Sequence, residues 1–198
     1  KADLAKGKYP VHMAGEDIPT EGQYWLINPL SAPLNSRYTR PETSVNLVFM
    51  AGTTPKVAAA WFFAQDKLLI AVEGRGVAAP ERLRVNTRTE LADSLLLLPQ
   101  RTADVVDLKL MDKAAAHDIH TRKQGHTTTD ILQVAAGQAD IAIGTHVNTV
   151  DMMLAQLVMT EAGGVITDLK GQPITPTSES YIAANLKLHG LALKHFCR

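Results

Sequence analysis

Residues 150–164 read VDMMLAQLVMTEAGG and are followed at residues 165–168 by VITD. Apolar side chains recur here at the three- and four-residue spacing of a helix that packs on a core. They are Met153, Leu154, Leu157, Val158 and Ala162. The glycine pair at residues 163–164 is typical of a helix end, and the VIT run after it is β-prone. The stretch therefore predicts a helix over residues 152–162 and a strand over residues 165–169.

The segments on both sides continue this alternation of helices and strands. Upstream, residues 127–136 have helical spacing and are followed by a glycine, and residues 141–143 form a short apolar run. Downstream, residues 181–184 predict a strand and residues 186–196 a closing helix. Alternation of this kind predicts a sheet covered by helices, which is an α/β lobe.

The first half of the chain has a different pattern. Three apolar runs, SVNLVFMA, VAAAWFFA and LLIAV, lie within residues 44–72 and are separated by turn-type breaks. They predict an antiparallel meander. Residues 24–27, YWLI, form a shorter β-prone run, and Asn28-Pro29 predicts its end because a residue before proline avoids the helical region. The glycine-rich residues 73–76 lack the spacing of a nucleotide-binding loop and are expected to form a plain turn.

Composition limits the classes of function. The chain has 198 residues, is 45% hydrophobic, and carries 20 basic and 20 acidic residues, so no net charge attracts it to nucleic acid. Its one cysteine, Cys197, excludes an intrachain disulfide framework and indicates a reducing compartment. No apolar run approaches the roughly 18 residues of a membrane span, and the first residues are too polar for a signal peptide. We expect a cytoplasmic protein without nucleic-acid or membrane partners.

Four segments resemble, in order, the motifs of the inositol-monophosphatase-like superfamily. Residues 150–168 resemble its C-terminal signature, in which W-D-x-A-A-G, an apolar helix, E-A-G-G and V-x-D follow one another. YWLINPLSAP at residues 24–33 resembles a family strand with its D-P-[IL]-D-G-T motif. AGED at residues 14–17 resembles G-E-E, and KADL at residues 1–4 resembles T-x-A-D-L. The chain is identified as a member that begins inside the family's N-terminal helical region and is therefore short at that end.

The resemblance covers the remaining segments and implies the fold. SVNL at residues 44–47 is similar to the 3′(2′),5′-bisphosphate nucleotidase branch, and residues 125–140 are similar to a G-S-x-A-L…V-A-x-G-x-A-D segment. The implied fold is α/β with α-β-α-β layers, as in sugar phosphatases. A meander lobe would occupy residues 1–113 and a smaller α/β lobe residues 114–198, in one compact unit with a cleft between the lobes. Residues 90–98 are ambiguous between a helix start and a short strand.

The resemblance also implies a metal site. Family enzymes are expected to hydrolyse phosphate monoesters with Mg²⁺, which activates water and neutralises charge on the phosphoryl group. The metal-binding positions correspond to Glu16, Asn28, the Leu30 carbonyl, Ser31 and Asp151. Two of the four side-chain ligands have become neutral, and Mg²⁺ prefers charged oxygen ligands. We therefore expect a vestigial metal site, with Asp3 at its periphery.

The phosphate site is altered as well. Ser31, Ala32 and Pro33 stand where the family has D-G-T, whose last two residues would supply backbone N–H groups and a hydroxyl. Pro33 has neither, so the three residues are interpreted as a phosphate-site remnant. Without the family resemblance, Ser31 would be interpreted as a helix N-cap, followed by a proline in the first turn of the helix.

Further candidates line the expected cleft. Met152 and Met153, with Leu154 after them, stand where the family has small residues and would partly fill the space for substrate and metal. His146 lies shortly before Asp151 and is expected to face the same cleft. Asp151 also has a structural interpretation, as a negative charge at the start of its helix.

Three clustered histidines, His117, His120 and His126, raise the question of a second metal site. They have neither an H-E-x-x-H spacing nor a cysteine partner. We expect them to lie on the surface or in loops.

Three functions remain open from the sequence. The first is a catalytically inactive protein that acts by binding a small phosphorylated ligand or by association, as a homo-oligomer such as a dimer or with another protein. The second is a weak Mg²⁺-dependent phosphomonoesterase for inositol phosphates or 3′-phosphonucleotides, using Glu16, Asn28, the Leu30 carbonyl and Asp151. The third is a partner-binding subunit with an exposed apolar face. No cofactor is expected, except Mg²⁺ if activity remains.

Overall fold

The structure is a computed structural model that describes residues 7–98 and 105–197, with side chains described over 7–98 and 109–197. Asp3 and the KADL segment at residues 1–4 lie outside the described residues. Within the described ranges, no helix has the length and apolar character needed to cross a membrane.

The first half folds into a six-stranded sheet whose strands lie side by side in chain order. The first two strands are parallel and the rest antiparallel, so the predicted meander is confirmed. One short helix, α1, connects the second and third strands. The strands are β1 (Val11–Met13), β2 (Gln23–Ser31), β3 (Ser44–Ala51), β4 (Thr54–Phe62), β5 (Lys67–Val72) and β6 (Gly76–Ala78), and α1 covers Pro33–Arg37.

The second half alternates strands and helices, as predicted, and forms a mixed five-stranded sheet in the order β10-β11-β9-β7-β8. Its strands are β7 (Leu95–Leu97), β8 (His120–Arg122), β9 (Ile141–Gly144), β10 (Val165–Thr167) and β11 (Tyr181–Ala184). Its helices are α2 (Val105–Ala115), α3 (Thr127–Ala135), α4 (Thr149–Glu161) and α5 (Leu186–Phe196). Of these, α2 and β8 were not predicted.

The second sheet begins earlier in the chain than the predicted division after residue 113. The strand β7 pairs with β8 and β9 in this sheet, and α2 runs across the predicted division. The reason is local: residues 90–98 contain a short apolar run that is ambiguous between helix and strand by pattern alone. Its strand character depends on partners that lie far along the chain.

The elements stack in four layers. Helices α3 and α4 pack against each other, α4 lies on the inner face of the first sheet, and both helices contact the second sheet. Helices α2 and α5 lie on the other side of the second sheet. The layered α-β-α-β arrangement is therefore confirmed. Because α4 lies between two sheets, it is buried nearly all round.

Both ends of α4 are tied to the first sheet. At its C-terminal end, the Glu161 carboxylate accepts hydrogen bonds from the backbone N–H groups of Gly74 (2.7 Å) and Gly76 (2.6 Å). Both glycines have positive φ angles, of 70° and 78°, which glycine adopts without strain. The glycine-rich segment is thus a turn, as expected, and its amides hold the end of the helix.

Candidate functional site

The candidate site is built around a bulge in β2. We predicted that this strand ends at Asn28-Pro29, but β2 continues to Ser31. Asn28 pairs with Asn46 and Ser31 with Ser44, and the register shifts between these pairs. A proline is tolerated at a bulge because its missing N–H is not required by the ladder. As a result, Asn28 and Ser31 both turn their side chains toward the start of α4.

The Asp151 carboxylate lies at the centre of this site and is 3% exposed. Its Oδ1 accepts hydrogen bonds from Asn28 Nδ2 (3.1 Å) and Asn46 Nδ2 (2.6 Å). Its Oδ2 accepts from Ser31 Oγ (2.7 Å) and Asn148 Nδ2 (2.8 Å), with Asn28 Nδ2 also at 3.2 Å. A carboxylate offers about four acceptor positions. Four side-chain donors therefore use its full capacity.

The start of α4 fixes Asp151 in place. Asn148 is the N-cap, and its Oδ1 accepts the backbone N–H of Asp151 at 3.0 Å while its Nδ2 donates back to the carboxylate. This reciprocal pair satisfies two groups at the helix end, and the negative charge lies favourably in the first turn. The structural role considered for Asp151 is thus visible in its contacts.

A second line of hydrogen bonds reaches Asp151 from α3. His126 Nδ1 lies 2.8 Å from Thr129 Oγ1, and His126 Nε2 lies 3.1 Å from Ser44 Oγ. The Ser44 hydroxyl donates to Asn46 Oδ1 at 2.7 Å. Asp151 as a carboxylate can only accept, and this assigns the direction of every hydrogen bond in the line. Thr129 donates to His126, and His126 Nε2–H donates to Ser44. Ser44 then donates to Asn46, and Asn46 donates to Asp151. All the donors in this chain thus point toward the one carboxylate.

His126 is neutral in this chain. It is fully buried, and this burial lowers the pKa of its imidazole to about 4, although the negative charge of Asp151 acts in the opposite direction. His126 lies in the loop before α3, as expected, but our expectation that it is solvated is wrong, because its ring is buried. It is the N-cap residue of α3, and apolar spacing gives no sign that a polar cap residue will be buried.

A second buried carboxyl group, Asp130, lies at the start of α3 and is 2% exposed. Burial raises its pKa to about 8, although a hydrogen bond from Gln124 Nε2 (3.0 Å) lowers it. Asp130 is therefore largely protonated at neutral pH. Burial also raises the pKa of the neighbouring Tyr181 phenol, with the charge of Asp130 as the next cause. Gly144 packs against the Tyr181 ring so closely that a Cβ would collide with it.

The other predicted metal-binding residues lie in different surroundings. Glu16 is exposed, and its carboxylate accepts the backbone N–H of Met13 at 2.8 Å, across the turn after β1. Leu30 is 38% exposed, and its N–H lies 3.4 Å from Asn28 Oδ1. Asn28, Ser31 and Asp151 are thus brought together at one point.

The segment that we interpreted as a phosphate-site remnant, residues 31–33, forms a tight turn. Ala32 is the N-cap of α1 and has a φ angle of 57°, a left-handed conformation that favours glycine. Pro33 takes the first position of this five-residue helix. The interpretation of Ser31 as an N-cap is wrong, because its hydroxyl binds Asp151 and the cap position falls one residue later.

The three cleft candidates do not share one environment. Met152 and Met153 are fully buried in the core cluster that surrounds α4, as is Leu154, so they do not line an open cleft. Their long side chains fill the space between α4 and the elements packed around it. His146 is exposed in the turn between β9 and α4, with a φ angle of 54°.

The residues that bind Asp151 do not form a magnesium site as they stand. Within the described ranges, no group of three or more His, Cys, Asp and Glu side chains is arranged to hold a metal ion. Magnesium requires about six oxygen ligands in octahedral order. Around Asp151, by contrast, amide and hydroxyl hydrogens point at the carboxylate oxygens that a cation would need. The donor set therefore does not fit Mg²⁺.

Two partners of Asp151, Asn46 and Asn148, were not singled out from the sequence, and neither was Ser44. A signal was present for β3. Ser44 and Asn46 alternate with Val45 and Leu47, so the polar pair occupies the face that Val48 and Met50 place in the core. A buried polar pair on a core face indicates a hydrogen-bond network. Asn148 carried the signal of a helix cap, three residues before Asp151.

The architecture defines the class of protein. A meander sheet, a pair of central helices, a mixed sheet and an outer pair of helices form the layered fold of the sugar-phosphatase superfamily. In this chain the candidate site lies where the bulge of β2 meets the first turn of α4.

Comparison with known sequences identifies the family. The sequence profile of the inositol monophosphatase family matches residues 6–198, and the chain belongs to this family. Inositol monophosphatase 1 of Sus scrofa is 29% identical over 201 residues, which cover 93% of this chain and 73% of the pig protein. A putative Nus factor SuhB of Neisseria meningitidis is 26% identical over 206 residues, which cover 97% of this chain and 78% of that protein.

Solved structures show the same fold. An IMPase of Thermotoga maritima superimposes with a TM-score of 0.88 at 21% identity, covering 98% of this chain and 77% of that one. An inositol monophosphatase II of Staphylococcus aureus gives a TM-score of 0.89 at 17% identity, covering 100% and 78%. The chain thus spans about three quarters of the length of these relatives.

Proposed function

We propose that this chain is a catalytically inactive member of the inositol monophosphatase family that acts by binding a ligand or partner. The observation that carries the proposal is the set of four side-chain donors on the Asp151 carboxylate. In an enzyme of this chemistry, carboxylates bind metal ions that activate water. Here the one buried carboxylate of the site is committed to hydrogen bonds within the protein.

The substitutions change both charge and hydrogen-bond direction. The resemblance implies carboxylates at Asn28 and Ser31, which would be acceptors; the amide and the hydroxyl found there donate to Asp151. A cation near Asp151 would meet hydrogens in place of two negative charges. To admit it, the donors would have to turn away and lose hydrogen bonds to a charged group, each worth about 1.5–3 kcal/mol. Metal binding is therefore opposed by the stability of the site.

The turn after Ser31 supports the same proposal. Ala32 keeps a left-handed backbone without the glycine that would adopt it freely. Pro33 follows and cannot donate an N–H to a phosphate oxygen. The shape of the turn is retained, whereas Pro33 lacks both the N–H and the hydroxyl that would bind and position a phosphate.

The name of one relative refers to a function other than hydrolysis. The matching protein of Neisseria meningitidis is named putative Nus factor SuhB. The family thus includes a member whose name does not refer to a phosphatase reaction. For this chain we propose action by binding a small phosphorylated ligand or a protein partner.

The proposal is tested by metal uptake and hydrolysis together. Calorimetric titration of the full chain with Mg²⁺ and Mn²⁺ to millimolar concentration should show no binding. No phosphate should be released from inositol monophosphate or from a 3′-phosphonucleotide. Uptake that is abolished in Asp151→Ala, with measurable hydrolysis, would instead establish a weak metal-dependent phosphomonoesterase.

A reversion variant makes this test sharper. Asn28→Asp combined with Ser31→Asp would place three carboxylates together, and we expect it to gain Mg²⁺ binding. A matched control, Gln23→Glu with Gln138→Glu, adds the same charge at two exposed positions and should gain none. If the reverted protein is folded by circular dichroism and still binds no Mg²⁺, the two substitutions are not the reason for the lost metal site.

A further inference from the structure

A cavity lies between α3 and one end of the first sheet. Its volume is about 350 Å³, within the roughly 300–1,000 Å³ of small-molecule sites. Phe62 of β4 and Leu69 of β5 form an apolar floor and are 5% and 3% exposed. Leu132 of α3 and Leu83, after β6, add apolar walls. The inner end of the cavity therefore suits an apolar ring.

Hydrogen bonds fix the walls of the cavity relative to one another. The buried Asn35 donates from Nδ2 to the backbone oxygens of Glu42 (2.9 Å) and Gln124 (3.1 Å). In the turn after β4, Gln65 Nε2 donates to the backbone oxygen of Pro41 at 3.1 Å. These bonds join the segment before β3, the turn after β4 and the segment before α3. A site that is formed before binding requires less ordering when a ligand enters.

One wall of the cavity carries a pair of side-chain amides. Gln124 Nε2 donates to Gln133 Oε1 at 2.8 Å, and Gln133 Nε2 donates back to Gln124 Oε1 at 3.0 Å. Gln124 Nε2 also donates to Asp130 Oδ1 at 3.0 Å. Each amide has two N–H donors and an oxygen that can accept twice. Among the described residues, one N–H of Gln133 and one acceptor position on each oxygen thus remain for a ligand.

The charges of the lining do not favour an anion. Within the described ranges, Lys67 is the one cation that lines the cavity, and its Nζ lies 4.0 Å from Glu81. The other lining carboxylate, Glu42, lies 3.3 Å from Arg40 Nε. A phosphate or carboxylate would lose hydration here and meet a cation that already has an anionic partner. An uncharged ligand avoids this cost.

The cavity is separate from the Asp151 site. His126 lies between the two, because its ring packs on Phe62 with centroids 5.7 Å apart and its Nδ1 lies 2.8 Å from Thr129 Oγ1. Phe62 and Thr129 line the cavity. The other ring nitrogen of His126 faces Ser44, in the line of hydrogen bonds to Asp151. A molecule in the cavity therefore leaves the surroundings of Asp151 unoccupied.

We propose that this cavity binds a small uncharged aromatic molecule with an amide-type edge, in which a donor and an acceptor lie side by side. The ring packs on Phe62 and Leu69, and the edge pairs with the amides of Gln133 and Gln124. A carboxylate of the same shape has no donor for the two amide oxygens. A site built on hydrogen bonds discriminates strongly against a ligand that leaves them unmade. The inference goes beyond the proposed loss of catalysis and does not depend on the Asp151 site.

The test is a titration of the full chain with benzamide, a simple member of this class, and with benzoate, its anionic counterpart. A probe with about nine non-hydrogen atoms should bind with a dissociation constant of about 1 mM, so the titration extends to about 20 mM. The side-chain amide signals of Gln124 and Gln133, followed by NMR in nitrogen-labelled protein, should shift with benzamide. Benzoate should bind at least about tenfold more weakly.

Two variants assign the binding to the cavity. Ala79→Phe places a ring at a half-buried lining position and should abolish benzamide binding. Its matched control, Ala78→Phe, adds the same ring at the neighbouring exposed position, which does not line the cavity, and should bind benzamide normally. Gln133→Met keeps the length of the side chain without the amide, so it should remove the preference for benzamide over benzoate.

Other results overturn the inference. Amide signals that do not shift up to about 20 mM benzamide exclude a site for this class of ligand at the affinity expected of such a probe. Equal affinity for benzamide and benzoate would show that the amide pair does not recognise the ligand, as would an unchanged preference in Gln133→Met. Binding that persists in Ala79→Phe, with the variant folded by circular dichroism, would lie elsewhere. The Mg²⁺ titration is independent of all these results, so the two proposals fail separately.

Discussion

Two buried carboxyl groups begin neighbouring helices and have opposite surroundings. Asp151, in the first turn of α4, accepts hydrogen bonds from four side chains. Asp130, at the start of α3, accepts from Gln124 at 3.0 Å, and burial raises its pKa to about 8. Both are almost fully buried, at 3% and 2% exposed. The comparison shows that depth of burial does not by itself decide how a carboxyl group is accommodated.

The two carboxyl groups differ in the hydrogen-bond donors that replace their lost hydration. A buried carboxylate loses hydration worth several kcal/mol and can keep its charge only if donors replace it. Around Asp151 the donors come from β2, β3 and the cap of α4, so three parts of the chain are joined at one anion. Asp130 instead remains largely protonated, because burial raises its pKa. Asp151 thus joins several elements of the fold, whereas Asp130 makes the stability of the fold depend on pH.

The largest effect is expected from Asp151→Ala. Removing the carboxylate leaves the amides of Asn28 and Asn46 and the hydroxyl of Ser31 buried without their shared acceptor. We expect the free energy of unfolding to fall by about 3–5 kcal/mol, as measured by urea denaturation. The control Asp17→Ala, at an exposed position, should change it by less than about 0.5 kcal/mol. Similar losses for the two variants would show that the network around Asp151 contributes little.

The next effect is the pH dependence caused by Asp130. Its pKa is raised from 3.8 to about 8, so between these values the folded state binds more protons than the unfolded state, and stability falls as pH rises. The pKa of His126 is lowered from 6.5 to about 4, which makes stability rise with pH up to 6.5. The two effects oppose each other up to about pH 7, because an unfolded imidazole is still half protonated at 6.5, and the effect of Asp130 dominates above that. We expect a net loss of about 1 kcal/mol between pH 6.5 and 8, because the limiting slope of about 1.36 kcal/mol per unit decreases as the pH approaches the pKa of Asp130.

The variant that isolates this effect is Asp130→Asn, which resembles the protonated acid in shape. Its unfolding free energy, measured at the same pH values, should no longer fall between pH 6.5 and 8. A decline that persists in Asp130→Asn would assign the pH dependence to other groups.

A smaller effect tests the turn beside Asp151. Ala32 has a φ angle of 57°, in the left-handed region where a Cβ is unfavourable. Ala32→Gly should therefore raise the free energy of unfolding by about 1 kcal/mol, less the entropy that glycine adds to the unfolded chain. Ala155→Gly, in the middle of α4, should have the opposite sign and lower it by about 1 kcal/mol or more. Equal signs would mean that the turn after Ser31 is not strained.

Local patterns in the sequence predicted much of the fold. The spacing of apolar residues and the glycines at helix ends located α3, α4 and α5, and the alternation in β3 to β5 predicted the meander. The strands β7 and β8 are only three residues each, and their character comes from pairing across the chain. Strands that are defined by pairing with distant residues show no local periodicity from which they could be predicted.

The site was harder to predict from the sequence, because its contacts also join residues that are far apart in the chain. Asn28, Ser31 and Asp151 could be proposed from the order of the motifs, but Asn46 lies 105 residues before the carboxylate that it binds. No spacing rule joins positions so far apart. His126 and Ser44, 82 residues apart, are a second example. A polar residue on an apolar strand face predicts that a partner exists, and the fold alone decides which one.

The attachment of α4 at both ends has a consequence for motion. Asp151 near its start binds side chains of β2 and β3, and Glu161 at its end binds the backbone amides of Gly74 and Gly76. The helix therefore cannot tilt or unwind from either end without breaking bonds to the first sheet. Its central amides should exchange hydrogen only when the whole layer opens, in one cooperative unit with β2 and β3. Exchange rates along α4 would then be uniform and slow, without the gradient that a fraying helix end produces.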